Sequence, residues 1–255
     1  MKVLKFGGSS LADAQRYLRV TEISMTIHQA NGAAVVLSAP KGVTNALGAL
    51  CEQAAAGEDY EVLFGELNDK VLGIAAELSE QVAGFDVATI NDFITTHLAG
   101  LKKQLQGIAL LGRSPDAVTA SIMSLGEYIS VNLFSGILTA KGISNQVLDP
   151  VEYVLAEGDY LDSIADVSLS KANFSEVVTD GSQLIIMPGF VAANEEGEKV
   201  TLGRNGSDYS AAVLAACIDA ECCEIWTDVD GVYNADPNQV EGAVLLDKLT
   251  YQEAM

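Results

Sequence analysis

The chain opens on a short apolar run, a long amphipathic stretch and a second apolar run. Val3-Leu4-Lys5-Phe6 is apolar but for one lysine, and it leads straight into Gly7-Gly8-Ser9-Ser10. Over residues 11–29, Tyr17, Leu18, Ile23 and Ile27 recur at helical spacing, and Asn31-Gly32 supplies a stop. Ala33-Ala34-Val35-Val36-Leu37 follows without alternation, as a strand covered on both faces would. Strand, helix and strand in that order predict a parallel pair joined by a crossover.

Helical spacing continues over 44–106, with breaks near Gly57 and Gly84-Phe85-Asp86, and again over 115–140. Val147-Leu148 predicts a strand ending at Asp149-Pro150, whereas the polar stretch 159–179 shows no clear period. Leu184-Ile185-Ile186-Met187 predicts a buried strand, and 199–202 another beyond a polar tip at 194–197. A helix is expected over 207–220 and a strand over 223–227. Thr250 and Glu253 stand at capping-box spacing, so a helix starts there and the sequence stops inside its second turn. That is either a frayed tail or, the preferred reading, a fragment of a longer polypeptide. With no internal repeat and no low-complexity linker, one α/β domain is expected.

The 255 residues carry 35 acidic against 14 basic side chains, a formal charge of −21, with 49% hydrophobic residues. Such a chain buries a sizeable core, and its acidity argues against a nucleic-acid partner, which needs a basic footprint. A small anionic ligand must then be held by a few local cations, by helix N-termini or through a metal ion. The apolar, uncharged run 128–140 is shorter than the ~18 apolar residues of a membrane span, and MKVLKFGG leaves no room for a signal-peptide core. No membrane association and a cytoplasmic location are expected. Cys51, Cys217, Cys222 and Cys223 form no CxxC pair and read as reduced thiols. His28 and His97, the only histidines, lack neighbours at ligand spacing, which argues against zinc and against a Ser-His hydrolase.

No GxxxxGK[ST], GxGxxG or GxSxG motif occurs. Polar, glycine-bearing clusters stand instead at predicted strand ends, where open α/β sheets bind ligands. In Lys5-Phe6-Gly7-Gly8-Ser9-Ser10, a lysine in a buried strand needs a partner, and the glycines admit backbone N–H groups to an anion; a plain turn beside an edge strand is the other reading. In Ser38-Ala39-Pro40-Lys41-Gly42-Val43-Thr44-Asn45, Thr44 or Asn45 either caps the next helix or serves a ligand. Leu202-Gly203-Arg204-Asn205-Gly206-Ser207-Asp208 offers an arginine fork for a carboxylate and a helix N-terminus for a second anion. Asp208 either favours the helix dipole or orients Lys5. Trp226-Thr227-Asp228-Val229-Asp230-Gly231-Val232-Tyr233-Asn234-Ala235-Asp236 places acids near a glycine turn without EF-hand spacing, and suits a nucleotide rim better than calcium. Glu127 is an acid on an otherwise apolar helix, either solvated or functional.

Taken in order, KFGG, SAPKGVTN, the Gly126-Glu127 pair, LGRNGSDYSAA and WTDVDGVYNADP resemble aspartate kinase of the amino-acid-kinase superfamily across essentially the whole chain. The run 202–233 is similar to the kinase part of the bifunctional aspartokinase/homoserine dehydrogenases. The resemblance implies a three-layer αβα sandwich on a mainly parallel sheet. It also implies ATP-dependent phosphorylation of the side-chain carboxylate of L-aspartate to 4-phospho-L-aspartate, the entry to threonine, methionine, lysine and isoleucine. ATP and Mg²⁺ are the implied cofactors, L-aspartate the substrate, and a homo-oligomer the implied state of the full-length enzyme.

Carried over by position, Lys5 and Asp208 are catalytic; Lys5, Gly7, Gly8, Ser9, Thr227, Asp228, Tyr233 and Asp236 meet the nucleotide. Ser38, Thr44, Glu127, Phe190, Arg204, Gly206 and Ser207 surround aspartate, and no residue is assigned as a metal ligand. The chain departs from the family pattern at Asn238, in place of an arginine, and at Leu125, where relatives often carry a basic residue. It also lacks the FGAKVLHP segment, the ACT regulatory domains and a dehydrogenase half, so it is expected to be a kinase domain incomplete at its C-terminal end.

Overall fold

The structure is a computed structural model and describes residues 1–177, 179–235 and 239–254. In chain order its strands are β1 (Lys2–Phe6), β2 (Ala33–Leu37), β3 (Asn145–Val147), β4 (Ala156–Asp159), β5 (Asp162–Ala165), β6 (Leu184–Pro188), β7 (Val191–Ala193), β8 (Lys199–Thr201) and β9 (Cys222–Trp226). The helices are α1 (Ala14–Asn31), α2 (Val43–Ala56), α3 (Glu61–Gln81), α4 (Val87–Leu111), α5 (Asp116–Met123), α6 (Leu125–Ala140), α7 (Pro150–Tyr153), α8 (Val167–Asn173), α9 (Gly206–Cys217) and α10 (Tyr251–Ala254).

β3, β6, β2, β1 and β9 line up in that order as a five-stranded sheet whose pairings are all parallel. The uninterrupted apolar runs of β2 and β6 are buried along their whole length, as a sheet covered on both faces requires. Alternate residues divide the core. Leu4, Phe6, Val35, Leu37 and Ile186 pack with residues of α1 to α6, while Val3, Val36, Ile185 and Met187 pack with α9 and the β4–β5 and β7–β8 hairpins. Helices, sheet, and a second layer of helix and hairpins make the expected αβα arrangement.

The differences from expectation have local causes. α1 begins at Ala14 rather than near residue 11, because Gly8–Leu11 forms a 3₁₀ turn and the Asp13 carboxylate caps α1 by accepting from the Arg16 N–H at 2.9 Å. The third strand lies at Asn145–Val147; the Leu148 N–H still donates to the Ile186 carbonyl at 2.8 Å, and the Asp149 cap of α7 follows. The polar stretch from 159 holds β5 and α8. α6 follows α5 with helical dihedrals at Ser124, and the run Asp116–Ala140 is long and apolar enough to cross a membrane by length and composition. That run packs inside the protein, with 67% of its most apolar window buried. A buried hydrogen bond from the Tyr17 hydroxyl to Ser130 Oγ, 2.9 Å, ties α6 to α1.

Candidate active site

Because β1, β2, β6 and β9 run parallel, their last residues, Phe6, Leu37, Pro188 and Trp226, lie at one edge of the sheet. The loops leaving β1, β2 and β9 are three of the sequence clusters singled out above, and the fourth, from Leu202, follows β8. They enclose a cavity of about 310 Å³ that takes in Lys5, Gly8, Ser38, Thr44, Glu127, Phe190, Gly206, Ser207 and Asp208. Residues from every part of the chain thus converge where parallel sheets ordinarily bind ligands.

Lys5 sits between Val36 and Ile225 in the sheet register, and its side chain is only 12% exposed. Its ammonium stands 2.6 Å from Asp208 Oδ1, in the first turn of α9. Asp208 pairs with Lys5 and, in the first turn of α9, also stands where the helix dipole favours an acid. Asp208 is 41% exposed, so the pair adds at most about 1 kcal/mol to stability, and its weight lies in holding an ammonium at the cavity wall. Gly7 lies beside that ammonium. Gly8 packs flat on the neighbouring loop, where a Cβ would come within 2.8 Å of the Ala39 carbonyl.

Glu127 is buried, 3% exposed, in the first turn of α6. Burial pushes its carboxyl up to about 8, partly opposed by backbone N–H groups of Ala39 and of Glu127 itself. Its Oε2 is buried without a hydrogen-bond partner. A solvated position is excluded. α6 reaches this depth because Gly126 has no side chain: a Cβ there would lie 2.5 Å from Ala39 Cβ and 2.9 Å from Val43 Cγ1. Thr44 does not cap α2, which starts after Gly42 in the left-handed region with no side-chain cap, so its hydroxyl is left to the cavity.

Phe190 has φ +69°, a conformation that a bulky side chain rarely adopts. Two contacts hold it there: its N–H donates to Ser210 Oγ at 2.8 Å, and its carbonyl accepts from the Leu202 N–H at 2.9 Å. Such strain collects at ligand sites, where the surrounding structure over-determines it.

A second cavity, of about 300 Å³, lies between the β1 and β9 ends and α1. Ser9, Thr227 and Asp228 line it, beside Phe6 and Trp226, whose rings stack at 5.9 Å. Two assigned residues, Arg204 and Tyr233, are not brought in. Arg204 is exposed and lies outside both linings, although its neighbours Gly203 and Asn205 line the first. Tyr233 bonds to Asp230 Oδ2 at 3.5 Å and lines neither cavity. Asp236 and Asn238 lie outside the described residues. The sequence reasoning passed over Lys41, which lines both cavities. Its only signal was a lysine beside a glycine in the SAPKGVTN loop.

The chain is 44% identical over 263 residues to a bifunctional aspartokinase/homoserine dehydrogenase of Buchnera aphidicola, covering all of this chain and 31% of the relative. It is 35% identical to lysine-sensitive aspartokinase 3 of Escherichia coli, covering 99% of this chain and 54% of that protein. It thus spans about a third to a half of these relatives' length. Among solved structures, E. coli aspartokinase III in complex with aspartate and ADP superposes with a TM-score of 0.84 at 30% identity, covering 97% of this chain and 53% of that one. The amino acid kinase family matches residues 1–255, and the chain belongs to that family.

Proposed function

We propose that this chain is an aspartate kinase catalytic domain that phosphorylates the side-chain carboxylate of L-aspartate with ATP. The observation that carries this reading is the buried, unpartnered Glu127 Oε2 in the same cavity as the Lys5–Asp208 pair. That cavity offers a carboxylate for an amino group and an ammonium for a phosphoryl group within one site. The names of the relatives, and the aspartate and ADP in a solved neighbour, support the same substrates.

The substrate carboxyl has a reference pKa of ~3.9 and is already an ionised nucleophile at neutral pH, so no base is needed. Its oxygen bonds to the γ-phosphorus as the bridging P–O bond to ADP breaks, and the electron pair leaves on ADP. Catalysis is then positioning and charge neutralisation. Glu127 holds the α-ammonium, and the hydroxyls of Ser38, Thr44 and Ser207 orient the substrate against Phe190. Lys5, held by Asp208, offsets charge on the moving phosphoryl group. Gly7, Gly8 and Ser9 lie on the phosphate path, with Thr227, Asp228, Tyr233 and Asp236 on the nucleotide side. Among the described residues no group of three or more His, Cys, Asp or Glu could hold an ion, so Mg²⁺ would come bound to the nucleotide phosphates and screen their charge. A cytoplasmic location, with no nucleic-acid or membrane partner, an entry role in threonine, methionine, lysine and isoleucine synthesis, and homo-oligomers of the full-length enzyme complete the proposal.

Hydroxylamine trapping of an acyl phosphate tests it. With ATP and Mg²⁺, hydroxamate should form with aspartate and not with glutamate; no product, or product with both, overturns the assignment. Arg204 belongs to the proposal as the α-carboxylate clamp, which requires its exposed side chain to swing inward. Arg204→Ala should raise KM for aspartate about ten- to a hundredfold, the cost of a charge-assisted bidentate contact. A change in ATP affinity alone would remove it from that role.

A further inference from the structure

The cations around the two cavities are unequal. Lys5 in the first is paired with Asp208; in the second, Arg16 is paired with Asp13 at 3.0 Å and Arg19 with Glu22 at 3.6 Å. Lys41 lines both and is ion-paired with nothing among the described residues. Lys41 is distinguished by its place: it is the exposed cation at the junction of the two cavities, and the other cations lining them are paired with acids.

Its backbone is held in place. The Lys41 carbonyl accepts from Lys70 Nζ at 2.5 Å, Gly42 turns the chain into α2 at φ +83°, and the Gly8 turn packs against the Ala39 carbonyl and the Lys41 main chain. The side chain is an exposed four-carbon arm on a fixed base, unpaired among the described residues and carrying a compact charge suited to a phosphate.

We propose that Lys41 bridges the two cavities and binds the terminal phosphoryl group of the nucleotide as it passes from the second cavity to the first. This rests on the functional reading above, with the nucleotide on the Thr227 side and aspartate on the Glu127 side. Lys5 would meet that group from the sheet and Lys41 from the α2 side, so that charge spread over its equatorial oxygens is met from two directions.

Lys41→Met and Lys41→Arg, compared with the wild-type chain, test the proposal by binding and by turnover. Lys41→Met should weaken binding of β,γ-imido-ATP at least about tenfold while ADP affinity changes less than about twofold, because only the former carries a terminal phosphate to lose. It should also lower kcat about a hundredfold with KM for aspartate little changed, and Lys41→Arg should recover most of both losses. The exposed side chain makes no hydrogen bond, so the melting temperature should stay the same. Equal losses for the two nucleotides, or wild-type kcat in Lys41→Met, overturn the role of Lys41. If the wild type binds β,γ-imido-ATP through Lys41 but forms no hydroxamate with aspartate, the substrate assignment fails and the phosphate contact stands. If it binds neither nucleotide, both fail.

Discussion

Lys5→Met should lower turnover by about 10³-fold or more while leaving the fold intact. The ammonium is the one cation of the cavity fixed by a carboxylate, at 2.6 Å from Asp208 Oδ1, and a methionine of similar length cannot offset charge on a phosphoryl group. Removing one preorganised stabilising group from a phosphoryl or acyl transfer site costs about 10²–10³-fold in kcat, and this lysine carries a full charge. The structural cost should be moderate: Asp208 is 41% exposed as a side chain, but the Oδ1 that faces Lys5 is buried and loses its partner. Hydroxamate formation at saturating ATP and aspartate, with circular dichroism and a thermal melt as controls, reads the effect. Turnover within tenfold of the wild type would falsify the role given to Lys5.

Glu127→Gln should change both substrate binding and the pH dependence of stability. The Glu127 carboxyl is up to about 8 in the folded protein against an ordinary value of 4.5. Below about pH 4.5 both folded and unfolded chains hold the proton, and this group gives stability no pH dependence. Between about 4.5 and 8 the unfolded chain has lost the proton and the folded chain keeps it, so stability falls as pH rises. Above about 8 both are ionised and the loss is complete, on the order of a few kcal/mol. The wild-type melting temperature should therefore drop between pH 5 and pH 8.5, and Glu127→Gln should drop less. Saturating aspartate should restore the wild type at the upper end, because its ammonium supplies the missing partner for Oε2. At pH 7 aspartate binding should release a proton, visible as a buffer-dependent heat in titration calorimetry. Glu127→Gln should abolish that release and weaken aspartate binding by about 30-fold or more, as loss of one member of a buried charge pair does. Identical pH slopes for the two proteins, or unchanged aspartate affinity, would count against this reading.

The central sheet was legible because its strands are continuous apolar runs; β1, β2, β6 and β9 fall within a residue or two of where the runs predict them. The site was legible to the extent that its residues follow those strands directly, as Gly7, Ser38, Phe190 and Thr227 do. The β4–β5 hairpin was not, because its pattern is inverted. Ile164 is 70% exposed while Ser163 beside it is buried, satisfied by donating to the Asp159 carbonyl at 2.6 Å. Alternation of polarity therefore points the wrong way there. Glu127 was visible as an acid on an apolar helix, but its depth depends on how closely Gly126 lets α6 approach Ala39, a contact between residues far apart in the chain. Lys41 was invisible as a bridge for the same reason: the second cavity exists only once β9 lies beside β1.

The left-handed backbone of Phe190 bears on how the protein can be evolved. A residue held in that region stores about 1–3 kcal/mol, and glycine would occupy it without strain. Phe190→Gly would relieve that strain but give up the ring's packing on Gly206 and loosen the unfolded chain, and it would also remove an aromatic wall from the cavity. A library meant to keep activity should hold position 190 fixed and seek its gains elsewhere.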